Sequence, residues 1–144
     1  MRFSILLIAA LVLAAVPAQA CRVMLSPASR VFGAYQRGII ESVAYVRVVS
    51  SRDLGQPSGD ANPWEATAQV ERVVWGANTS GEVRFSYGWG SGACDLGYGQ
   101  PKPGDQWVAY FWKHPEMGQQ VWLALPLHVS EEIEPELRKL RRAS

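Results

Sequence analysis

Between residues 64 and 87 the sequence alternates apolar and polar side chains with a period of two, and this pattern constrains the fold more than any other feature. Ala66, Ala68 and Val70 interleave with Thr67, Gln69 and Glu71, and Val83, Phe85 and Tyr87 interleave with Glu82, Arg84 and Ser86. Successive side chains of a strand point to opposite faces, so each run describes a strand with one buried and one wet face. Strands are predicted over 64–75 and 82–87, with a turn over 76–81. Upstream, 39–50 is dense in β-branched residues (Ile39, Ile40, Val43, Val46, Val48, Val49) and alternates around Arg47, which predicts a longer strand. Two further strands are predicted over 106–112 and 119–125. The polar stretch 51–63 and the glycine-rich stretch 88–105 read as loops.

Helix signals appear only at the two ends. Ser26 is a candidate N-cap, Pro27 suits the first helical position and Gly38 a stop, which predicts a short helix with Val31, Ala34 and Tyr35 on one face and Phe32 beside them. Pro135 can open a second helix in which Glu136 sits early, Arg138, Lys139, Arg141 and Arg142 sit late, and Leu137 and Leu140 share a face. Five strands with connections too short for parallel crossovers predict an all-β chain. The expected fold is a five-stranded antiparallel OB-fold barrel with a short N-terminal and a short C-terminal helix. A sandwich would want about seven strands.

The first 20 residues read as a secretory signal peptide: Arg2, an apolar run from Ile5 to Val16, Pro17, then Ala18-Gln19-Ala20. That run is shorter than the roughly 20 apolar residues of a spanning helix. Cleavage would leave residues 21–144 as one domain, beginning with Cys21. The expected location is outside the cytoplasm, secreted or periplasmic, with a lipid anchor on Cys21 as the alternative. The chain has 14 basic and 13 acidic residues, and loss of Arg2 with the leader makes the remainder formally neutral. A nucleic-acid partner, which calls for a basic excess or stripe, is not expected. Arg47, Arg72 and Arg84 are spaced singly and are read as solvent-facing strand positions.

Cys94 is the only other cysteine. An even cysteine count in an exported chain implies pairing, and a Cys21–Cys94 disulfide closing a loop of roughly 70 residues would add about 4 kcal/mol in the chain-entropy view. It would tie the mature terminus to the glycine-rich loop.

The order of Cys21, Val46-Arg47-Val48-Val49, Val70-Glu71-Arg72-Val73-Val74-Trp75-Gly76, Gly92-Ala93-Cys94 and Pro103-Gly104-Asp105-Gln106-Trp107-Val108-Ala109-Tyr110 resembles the tissue-inhibitor-of-metalloproteinases and netrin-module superfamily in its small bacterial form. The resemblance spans most of residues 21–144. It implies an OB barrel whose amino-terminal cysteine is bridged to the loop that holds Cys94. It also implies a candidate metal contact, in which the backbone amine and carbonyl of Cys21 chelate a partner protease's zinc. Val23 stands where the inhibitors carry a second cysteine and Arg22 where they carry a small residue, so a wider binding role is ranked ahead of protease inhibition.

No enzyme is expected. His114 and His128 have no second metal ligand at a suitable spacing, no nucleophile elbow appears, and one disulfide would consume both thiols. No cofactor is expected. Among six tryptophans, Trp75, Trp107, Trp112 and Trp122 are assigned to packing. Trp89 and Tyr98, in the glycine-rich stretch, are candidate binding residues together with Cys21 and Arg22. The expected function is a secreted, monomeric, non-enzymatic binding module for a protein or peptide. The alternatives are a metalloprotease inhibitor acting through Cys21 and an envelope-anchored structural protein.

Overall fold

A computed structural model of the chain describes residues 25–55, 62–76, 81–89 and 97–142. The elements run α1 (Pro27–Gln36), β1 (Ser42–Asp53), β2 (Trp64–Gly76), β3 (Glu82–Tyr87), β4 (Gln106–His114), β5 (Gly118–Pro126), α2 (Leu127–Ile133) and α3 (Pro135–Arg142). The signal peptide assigned to residues 1–20 lies outside the described residues. Among the described residues the fold is mostly β, with five antiparallel strands in one sheet of order β3-β2-β1-β4-β5 and three short helices.

Helix α1 forms where its capping signals predict. The Ser26 hydroxyl accepts from the Ser29 N–H, Pro27 opens the first turn, and Gly38 leaves the helix at φ 63°. The Ile39 N–H still donates to the Ala34 carbonyl at 2.9 Å, so Ile39 belongs to the helix exit and β1 begins only at Ser42. At its other end β1 runs on through Ser51, Arg52 and Asp53, which pair with Ala66, Glu65 and Trp64. The strand thus covers 42–53 rather than 39–50, because cross-strand pairing outlasts the β-branched run.

The sheet is open in its ladders but curled on itself. Phe85 on β3 and Trp107 on β4 are three places apart in the strand order, about 14 Å in a flat sheet, yet their ring centroids lie 5.1 Å apart. At the two edges, the Tyr87 hydroxyl on β3 donates to the Ala124 carbonyl on β5. No ladder joins β3 to β5 among the described residues. Curling encloses one core made by Ala44, Val46, Trp64, Ala66, Phe85, Trp107, Phe111 and their neighbours.

A second core lies on the opposite face of β1, β4 and β5, under the helices. It joins Val43, Tyr45, Val108, Tyr110, Leu123 and Leu125 to Val31 and Ala34 of α1 and Leu137 of α3. The middle of β4, Trp107-Val108-Ala109-Tyr110-Phe111, is therefore buried on both faces. This is why its sequence is a continuous apolar run with no alternation. Helix α2 has no counterpart in the sequence reading, for Pro126 caps it without a side-chain hydrogen bond. It is held instead by Leu127, Val129 and Ile133 packing on the second core. The helix predicted at Pro135 forms and docks, with Leu137 only 3% exposed.

The tryptophans divide differently from the expectation. Trp107 is core as assigned, at 4% exposed, but Trp75 is 41% exposed and lies against the Tyr35 ring at 5.7 Å. Trp112 and Trp122 are half-buried, while Trp64, which alternation alone did not single out, is 3% exposed. The β1–β2 register slips between Val43 and Ala44 and again between Tyr45 and Val46. Such bulges reset which side chains face inward and aim the end of a strand elsewhere. Gly76, at φ 91°, ends β2 where any Cβ would stand 2.1 Å from the Glu41 carbonyl oxygen.

Candidate functional site

Two of the candidate binding residues, Trp89 and Tyr98, lie at the end of the curled sheet where β1 ends, β2 starts and β3 ends. The aromatic rings there form one cluster. Trp64 meets Trp107 edge-on at 5.9 Å, and Tyr98 meets both Tyr87 and Trp107 edge-on at 5.9 and 6.0 Å. The Trp64 indole N–H donates to the Tyr98 carbonyl at 3.0 Å, which holds the returning segment on the core. Edge-to-face rings add modest energy beyond their buried area.

Tyr98 is half-buried in this cluster, so most of its ring is engaged in packing. Burial raises its hydroxyl above the ordinary tyrosine value; Arg30 opposes that shift and Glu132 adds to it. Trp89 is different. Gly88 turns the chain at φ 84°, with its missing Cβ 2.2 Å from the Asn62 carbonyl oxygen, and Trp89 leaves the turn 58% exposed. Its indole N–H donates to the Ser86 hydroxyl at 3.2 Å. The structure thus brings Trp89 and Tyr98 to one end of the sheet with opposite exposures. Cys21, Arg22 and Cys94 lie outside the described residues, as does the disulfide assigned to the two cysteines.

A polar cluster that the sequence did not reveal sits under the helices. The hydroxyls of Tyr35 and Tyr110 both donate to the carboxylate of Glu134, at 3.0 and 2.7 Å, and the Tyr45 hydroxyl donates to the Leu137 carbonyl at 2.5 Å. Burial first, then the Glu134 charge, pushes both Tyr35 and Tyr110 well above the ordinary tyrosine range. They stay protonated at neutral pH and serve as donors. Nearby, Glu131 is buried and accepts from Arg141 at 2.7 Å and Arg138 at 3.4 Å. Burial works against its ionisation, but the two guanidinium groups outweigh that and hold the carboxyl below its ordinary value. The Tyr110 and Tyr45 bonds fasten the α2–α3 pair to the sheet, Tyr35 ties α1 to that pair and Glu131 holds α2 to α3, and no spacing rule connects Tyr35, Tyr110 and Glu134 before the fold is known.

The remaining polar candidates have structural partners. The His114 Nδ1 accepts from the N–H groups of Glu116 and Met117, both at 3.2 Å, and so shapes the β4–β5 turn. Arg47 pairs with Glu71, whose carboxyl is also bonded by Gln106; partial desolvation raises it, but these two hydrogen bonds and the Arg47 charge outweigh that and hold it low. Arg72 lies over the Tyr45 ring at 5.0 Å. Among the described residues no three His, Cys, Asp or Glu side chains converge as metal ligands. No helix there is long and apolar enough to cross a membrane. Comparison with protein-family models, with curated proteins and with solved structures finds no match to this chain.

Proposed function

We propose that the chain is an exported, non-enzymatic binding module of the netrin-like OB-barrel type, with its partner surface at the end of the sheet that carries Tyr98 and Trp89. The supporting observation is the meeting of the two edge strands there: the Tyr87 hydroxyl bonded to Ala124 joins β3 to β5 across a sheet whose order, closed at that seam, is a five-stranded barrel. Tyr98 packs against both cores, the second of which includes Val31 and Ala34 of α1, and this supports the second part of the reading. The partner is a protein or peptide, and the module acts as a monomer.

The reading as a non-enzyme rests on the sequence, in which no catalytic constellation is recognisable. Mass spectrometry of the exported protein tests the terminus. A free-amine Cys21 joined to Cys94 in non-reducing peptide maps is the expected result, and two free thiols would remove the staple. A diacylglycerol mass on Cys21 would assign the envelope-anchored role instead. Zinc-protease inhibition that disappears when one alanine is added before Cys21 would assign the inhibitor role and the Cys21 backbone as its metal contact.

A further inference from the structure

The outer face of the sheet is treated in two ways. Over β1, β4 and β5 it is roofed by α1, α2 and α3, whereas over the second half of β1, β2 and β3 it is uncovered among the described residues. The uncovered part is a polar strip that ends on an aromatic ring. In register, Arg52 stands opposite Glu65 and Glu65 opposite Ser86, with Arg52 paired to Glu65 at 2.9 Å. Ser86 in turn accepts the indole N–H of Trp89. Two residues along the same face, Thr67 stands opposite Arg84, which lies 3.7 Å from Glu82.

We propose that this strip, with Trp89 as its platform, binds a neutral oligosaccharide. A sugar ring offers a C–H face and a rim of hydroxyl groups, and the strip supplies what each needs. The C–H face requires an aromatic ring that stands free of the core and is already oriented; Trp89 is 58% exposed and its donor is fixed to Ser86. The hydroxyl rim requires charged and hydroxyl groups that both donate and accept, since such bonds are the stronger ones. Arg52, Glu65, Thr67 and Arg84 provide them, and a pre-fixed platform limits the ordering cost of binding. The charge of the strip decides between neutral and anionic chains. Each arginine already has a carboxylate partner, so no cationic surplus remains to hold sulfate or phosphate groups.

The inference shares Trp89 with the proposed protein-binding surface but does not depend on Cys21. It is tested by titrating the mature, disulfide-intact protein with cellohexaose and with chitohexaose, following tryptophan fluorescence and calorimetry. The expected result is binding of at least one of them at roughly millimolar Kd or tighter. Trp89→Ala weakens it at least tenfold, and Trp89→Phe, which keeps a ring, recovers most of the loss. Adding an alanine before Cys21 leaves sugar binding unchanged, and this separates the sugar site from the Cys21 terminus. The proposal is overturned if neither sugar binds, if Trp89→Ala binds as wild type does, if the extended terminus abolishes binding, or if a heparin hexasaccharide binds more tightly than either neutral sugar.

Discussion

Strands β3 and β4 show the two ways in which this sheet is used. β3 buries Phe85 and half-buries Val83 and Tyr87 on one face while Glu82, Arg84 and Ser86 stay in water. β4 buries Trp107, Ala109 and Phe111 in the enclosed core and Val108 and Tyr110 beneath the helices. The strands belong to one sheet and differ only in whether something covers the second face. Where no described residue does, the sequence alternates and the strip beside Trp89 is exposed. Where helices do, alternation vanishes and the polar groups that remain, Tyr35, Tyr45, Tyr110 and Glu134, are committed to fastening those helices. The first region leaves its polar face open among the described residues, and the second spends its polar groups on cohesion.

Substitutions that separate the two regions should fall in a clear order. Trp107→Ala should have the largest effect, about 3–5 kcal/mol, because the ring is the meeting point of β3 and β4 and leaves a large cavity. Urea unfolding should show this as a lower midpoint. A loss below about 1 kcal/mol would mean that the curled sheet is not closed over this ring. Leu137→Ala should cost about 2–4 kcal/mol, as it removes the buried anchor of α3. Hydrogen exchange should then quicken in α3 while β3 keeps its protection, and equal loosening of β3 would erase the distinction.

The acid limb provides a third test. Glu131 is held below the ordinary carboxylate value, so its contribution is complete only well above the ordinary glutamate value of about 4.3 and is lost as the pH falls through its lower folded value. Glu131→Gln should lower stability at pH 7 by about 1–3 kcal/mol and by much less at pH 2, measured as urea midpoints at both pH values. A uniform loss across that range would locate the effect in packing rather than charge. The smallest effect is expected at Trp89→Ala, within about 0.5 kcal/mol of wild type in unfolding, despite the loss of the largest side chain on the uncovered face. A destabilisation of about 2 kcal/mol would place Trp89 in the core of the protein and out of its recognition surface.

Much of this was readable from single residues. Ser26, Pro27 and Gly38 set α1, and the limits of β3 at Glu82 and Tyr87 coincide with its period of two. Other features carried no local signal. α2 lacks a capping side chain at Pro126, Ile39 completes a helix rather than opening a strand, and Trp75 is turned outward beyond two slips of register. The candidate site was legible in part: the glycine-rich stretch drew attention to Trp89 and Tyr98, but their opposite exposures depend on Trp64 and Gly88 at either side.

The sequence by itself determined where strands and end helices form, because alternation, capping residues and glycines act over a few neighbours. Only the tertiary structure decided that the sheet curls to bring Phe85 onto Trp107, and that helices roof one half of its outer face. It also decided that Glu134 collects hydroxyls from Tyr35, 99 positions away, and Tyr110, 24 positions away. These outcomes come from burial summed over distant segments, which no local pattern encodes.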